Sequence, residues 1–157
     1  MISPIKNEDL VLRVIPTDDS KKQVEKYSAF LDLIFDKEYY FLREAACNIL
    51  YFLLSGSYLS ITDLAKENFK DNPKLVQKYG NQQKMLSNLQ LPEKKSCTAD
   101  LATGTGKSYL IYAIAQIAMH ADLVDKVLVL SPSVTIETEL IDKFNQFAGS
   151  KELQDSL

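Results

Sequence analysis

The stretch that most constrains how this chain folds is Leu101-Ala102-Thr103-Gly104-Thr105-Gly106-Lys107-Ser108. It follows Cys97-Thr98-Ala99-Asp100 and runs without a break into Tyr109-Leu110-Ile111-Tyr112-Ala113-Ile114-Ala115, apolar on most faces. Strand, glycine loop, helix is the order in which a phosphate-binding loop is built. Glycines let the backbone turn tightly and bring several N–H groups to one oxyanion. The start of the next helix adds unpaired donors and a favourable dipole. On this reading Ala102, Thr103, Gly104, Thr105, Gly106, Lys107 and Ser108 hold the phosphates of ATP. Lys107 reaches the outer phosphates as a mobile point charge, and the Ser108 hydroxyl faces Mg2+. The general pattern asks for glycine five residues before Gly106, where this chain has Leu101.

That departure has a counterpart. Leu101–Ser108 resembles the first motif of the superfamily-two helicases and translocases, where the early glycine is often replaced. Ala-Thr-Gly-Thr-Gly-Lys followed by Ser is similar to the motor subunits of restriction enzymes, the type III restriction (Res) subunit first and type I motors next. The resemblance implies an α/β fold, a RecA-like parallel sheet present in part as strand–loop–helix–strand–helix. It also implies ATP and Mg2+ as cofactors, double-stranded DNA as the track of the full-length motor, and a DNA-methyltransferase (modification) subunit as partner.

Three regions follow: a mainly helical 1–93, an incomplete RecA-like domain at 94–148, and a tail at 149–157. In the first, Asp9–Ile15 reads as a short strand stopped by Pro16. Thr17-Asp18-Asp19-Ser20 caps a helix through Val24, Tyr27, Leu31 and Ile34. A heavily apolar helix spans about Glu38 to Leu54. Within it Phe41-Leu42-Arg43-Glu44-Ala45 resembles the aromatic-Gln-x-x-Ala stretch of restriction motors, with Leu42 where the adenine-reading glutamine stands. Phe41 is thereby the candidate to stack on the base; at helical spacing an aromatic stripe is otherwise core. Ser60-Ile61-Thr62-Asp63 opens a further helix as a capping box, and Asp71-Asn72-Pro73 makes a turn.

Beyond the loop, Lys126-Val127-Leu128-Val129-Leu130 is a nearly continuous apolar run, as in a parallel strand buried on both faces. Ser131-Pro132-Ser133-Val134-Thr135 then opens a helix through Leu140, Ile141 and Phe144. The turn resembles helicase motif Ia, which implies that Ser131, Pro132, Ser133 and Thr135 touch the DNA backbone without reading sequence. As plain chemistry, Ser-Pro-Ser is also an ordinary helix start.

The family holds Mg2+ and activates water with a carboxylate pair on a later strand. Glu137 and Glu139 do not follow an apolar strand, so this Walker B pair and the second-lobe motifs are absent. The expectation is the front part of a motor that binds nucleotide without turning it over, with apolar sheet edges left exposed unless the helical region covers them or copies associate. A different phosphate-loop ATPase or kinase, and a non-enzymatic module with a vestigial loop, stay open.

Composition sets outer bounds. An apolar share of 46% and a charged share of 25% suit a globular domain, and a net charge of −3 argues against a broadly basic nucleic-acid binder. Cys47, Cys97 and the single His120 have no zinc-ligand spacing. No signal peptide is visible at Met1-Ile2-Ser3-Pro4 and no apolar run is long enough for a bilayer, which reads as cytoplasmic.

Overall fold

The computed structural model describes residues 4–157, so Met1–Ser3 of the signal-peptide reading lie outside the described residues. A 3-10 helix, Asn7–Leu10, precedes α1 (Asp18–Glu25) and α2 (Ser28–Ile34), and a second, Lys37–Tyr39, leads into α3 (Tyr40–Leu54). Then come α4 (Ile61–Asp71), α5 (Pro73–Tyr79), α6 (Gln82–Leu86), α7 (Lys107–His120), α8 (Val134–Ala148) and α9 (Lys151–Asp155). No helix among the described residues is long and apolar enough to cross a membrane.

The sequence punctuates these helices as it should. The Thr17 hydroxyl accepts from Ser20 N–H at 3.1 Å, with Asp18 and Asp19 in the first turn of α1. Asp63 Oδ2 accepts from Ser60 N–H at 3.1 Å, closing the capping box of α4. Asn72 caps α5 with Pro73 at its first position, and Gly80, at φ +76°, ends it. The single helix read through Val24, Tyr27, Leu31 and Ile34 is broken at Lys26–Tyr27, yet all four residues are buried.

Three cores result. The largest joins α1, α2 and α3 to α7, with Phe30, Leu31, Leu42, Leu50 and Ile117 at its centre. The second joins the end of α3 to the start of α4 through Phe52, Tyr58, Ile61 and Leu64, and the third lies among α4, α5 and α6, where Ala65, Leu75 and Met85 are buried. The chain from Asp9 to Arg13 straps across these two smaller clusters through Leu10 and Leu12. Asn68 Oδ1 accepts from Arg13 N–H at 2.7 Å and Asn68 Nδ2 donates to Arg13 O at 2.9 Å, so one side-chain amide replaces a neighbouring strand. Asn72 Nδ2 ties down Asp9 O at 2.8 Å.

The expected α/β architecture is not what forms: no strand is present among the described residues, and the fold is all-helical. Asp9–Ile15 is part 3-10 helix and part strap. Cys97–Leu101 and Lys126–Leu130 are irregular chain. The reason is that a strand exists only through its neighbours. The helix that should lie on a sheet, α7, is packed instead against α3, with α2 and α8 beside it. Among the described residues, 124–132 makes no backbone-to-backbone hydrogen bond. Leu128 and Leu130 are 81% and 82% exposed, uncovered by the N-terminal helices. An apolar run becomes a buried strand only where partners cover both its faces.

Candidate phosphate-binding site

Gly104 and Gly106 both sit at positive φ, +80° and +83°, a conformation open to glycine, in the turn that leads into α7. Gly106 is the N-cap of α7 in the left-handed conformation. A Cβ there would lie 3.1 Å from Leu42 Cδ1 and 3.4 Å from Tyr39 and Tyr109, so space as well as φ demands glycine. Leu42, fully buried, is the floor under the loop.

Among the described residues, none of the N–H groups from Ala102 to Ser108 is given to another protein group. These are the donors a phosphate-binding loop keeps free. The Ala102 carbonyl is the opposite case. It accepts from Thr105 Oγ1 at 2.8 Å and also from Lys107 Nζ, so the lysine is folded back over its own loop. Lys107 is nonetheless exposed and makes no ion pair among the described residues.

The loop forms one wall of a groove of about 830 Å³. Gly104, Gly106, Lys107 and Ser108 line it, as do Leu130, Ser131 and Pro132 from the second candidate turn. The two turns singled out in the sequence are thus brought to one groove without a sheet between them. Ala102, Thr103 and Thr105 belong to the loop but do not line the groove, and neither do Ser133 and Thr135. The Ser133 hydroxyl accepts from Ile136 N–H at 3.3 Å as the N-cap of α8, and Ser131 Oγ donates to Ser133 O at 2.9 Å. Much of the polar capacity of that turn therefore goes into starting the helix.

Phe41 is half-buried, packs on the largest core and does not line the groove. Tyr39 lines it instead, stacked on Tyr109 with ring centroids 5.6 Å apart at 24°. Because α3 starts only at Tyr40, Tyr39 stands at its N-cap, off the helical face that places Phe41 inward. The opposite wall is a stripe of α8: Glu139, Asp142, Lys143 and Gln146. Their spacing of three and four is legible in the sequence and was missed there. Lys143 Nζ lies 4.8 Å over the Tyr109 ring, a cation–π contact. Among the described residues no group of three or more His, Cys, Asp or Glu is placed to hold a metal ion.

The family model for the type III restriction enzyme, res subunit, matches residues 61–156, more than half of the chain. The chain belongs to this family. No curated protein and no solved structure matches it. In this Res-family chain the matched span takes in the loop, α7, the second turn and α8, but begins after α3. Leu42 and Tyr39, which seat Gly106, therefore lie outside it.

Proposed function

We propose that this helicase-like restriction subunit binds the phosphates of ATP, with Mg2+, on Ala102–Ser108, as the nucleotide-binding front part of a DNA-translocating motor. The observation that carries the reading is the set of uncommitted N–H groups at the start of α7, beside an exposed Lys107, in a groove large enough for a nucleotide. A bound nucleotide would supply the triphosphate that gives such a motor its energy. For its part the chain orients: the loop amides grip phosphate oxygens and Lys107 leaves the Ala102 carbonyl to meet the outer charge. The Ser108 hydroxyl offers one oxygen to Mg2+, whose remaining ligands would be phosphate and water.

Ser131 and Pro132 in the same groove support a second contact, with the backbone of double-stranded DNA. Ser133 contributes by capping α8, and Thr135 through the first turn of that helix, where the Val134 and Thr135 N–H groups face a phosphodiester. A modification methyltransferase as partner follows from the family alone. On this reading turnover belongs to other parts of a motor, because Glu137 and Glu139, the carboxylates after the second turn, lie on α8 rather than at the end of a strand. A non-enzymatic reading, with a vestigial loop, is favoured by the lysine's return to Ala102.

Titration with a fluorescent ATP analogue and Mg2+ separates these readings. Saturable binding weakened at least tenfold by Lys107→Ala is the expected outcome. No binding, or binding indifferent to that substitution, would leave the vestigial reading. ATP turnover by this chain above background, abolished by Lys107→Ala, would overturn the binding-only assignment.

A further inference from the structure

Taking the phosphate reading as given, we infer that the site accepts nucleoside triphosphates with little regard to the base. Base discrimination requires buried hydrogen-bonding groups that match one base edge and are left unpaired by the others. Sites built that way reject the wrong partner by roughly 10⁴-fold or more. Among the described residues that line the groove, no polar side chain is buried. The aromatic wall is Tyr39 stacked on Tyr109, and the side chain beneath the loop is the fully buried, apolar Leu42. A tyrosine face stacks on any base, because every base has a π-face.

The polar side chains of the groove do not supply the missing readout: Lys107 and Ser108 belong to the phosphate end, Ser131 Oγ is taken up by Ser133, the Tyr39 and Tyr109 phenols are only half-buried, and Glu139, Asp142, Lys143 and Gln146 lie on α8. Glu139, Asp142 and Gln146 are all exposed, so water competes for any bond they make to a base. A neutral bond of this kind is worth about tenfold, and one to an exposed carboxylate falls short of the roughly hundredfold that a buried charged group could give. Lys143 rests over the Tyr109 ring, and its charge favours phosphate or π-face equally for every nucleotide. Affinity then comes from the triphosphate and from stacking, and both are common to ATP, GTP, CTP and UTP.

The test is competition against a fluorescent ADP analogue with Mg2+ on the full chain, using the four nucleoside triphosphates and inorganic tripolyphosphate. The four nucleotides are expected to fall within about tenfold of one another, with tripolyphosphate weaker than all of them. Tyr39→Ala should weaken all four by a similar factor, roughly five- to a hundredfold, and bring them towards tripolyphosphate. Tyr39→Phe keeps the ring and should bind as the parent does, which guards against a variant that merely fails to fold. A preference for ATP over GTP of a hundredfold or more, in a chain whose binding is lost with Lys107→Ala, overturns base indifference and leaves the phosphate site standing. So does a Tyr39→Ala effect confined to ATP. Competition unchanged by Lys107→Ala overturns both.

Discussion

Helices α7 and α8 have similar openings and different fates. Each starts at a turn whose residues suit contact with a phosphate, and they run for 14 and 15 residues. Six residues of α7 are buried, whereas α8 buries Phe147 alone and leaves Val134 and Ile141 76% and 52% exposed. The difference lies in the partners. The N-terminal helices surround α7 and hold its loop from below through Leu42 and Tyr39. The segment that leads into α8 makes no backbone hydrogen bond to another part of the chain among the described residues. Local signals therefore suffice to build both helix starts, but burial depends on what other parts of the chain bring alongside.

The largest contrast should appear in stability. Ile117, fully buried in α7, should cost about 2–5 kcal/mol on truncation to alanine, since the lost contacts add to a cavity. Leu130→Ala, at a side chain 82% exposed, should change stability by less than about 0.5 kcal/mol. Denaturant unfolding of the two variants measures both. A Leu130→Ala loss as large as that of Ile117→Ala would break the comparison, because it would mean that the segment before α8 is packed after all.

Next in size is the pair of loop glycines. Alanine at either position is strained by φ above +75°, at about 1–2 kcal/mol. At Gly104 a Cβ meets nothing within 4 Å, so strain is the whole cost. At Gly106 it also crowds Leu42 at 3.1 Å, in a core with no slack. Gly106→Ala should therefore be the more destabilising by about 1 kcal/mol, with a visible loss of nucleotide binding. Equal melting temperatures for the two variants would show that Leu42 does not press on the loop.

The reading of the sequence succeeded where a few adjacent residues carry the physics. Thr17, Ser60 with Asp63, Asn72 with Pro73, and Gly104 with Gly106 each set the backbone within a turn or two, and all of these features form. It failed for the sheet, because Lys126–Leu130 says only that the run is apolar and not which backbone lies beside it. The candidate site divides in the same way. The loop and Ser131–Pro132 were legible as motifs, and the structure brings them to one groove. Phe41 stands out in the sequence and Tyr39 does not because a helix read from about Glu38 begins at Tyr40, two residues later, which leaves Tyr39 at the N-cap beside the groove and Phe41 on the core. Asn68 as a stand-in strand for Arg13 had no local signature at all, since the two are 55 residues apart.

A smaller effect sharpens how the packed half holds the loop. Lys95, just before the loop segment, donates from Nζ to Leu53 O at 2.8 Å and Ser55 O at 3.0 Å, closing the end of α3. Burial lowers its pKa, so the charge is held there against a desolvation cost. Lys95→Met keeps the stem and removes the donor. The expected loss is about 1 kcal/mol, with faster amide exchange in the last turn of α3 and no change in α8. Exchange quickened equally in both would mean that the two halves unfold as one unit.

The smallest effect is a pH dependence confined to the second core. The Tyr58 hydroxyl donates to Glu67, and burial, then that carboxylate, push its pKa up to about 12. Raised above the unfolded value, the phenol contributes a stability that is fully present below about pH 10 and lost as pH climbs towards 12. Tyr58→Phe removes the titrating group while keeping the ring against Phe52 at 5.9 Å. The stability gap between parent and variant should thus be constant up to about pH 10 and shrink above it, whereas groups common to both chains cancel. A gap that is flat to pH 12 would mean that the phenol titrates as it does in the unfolded chain. The second core would then be as open to water as the segment before α8.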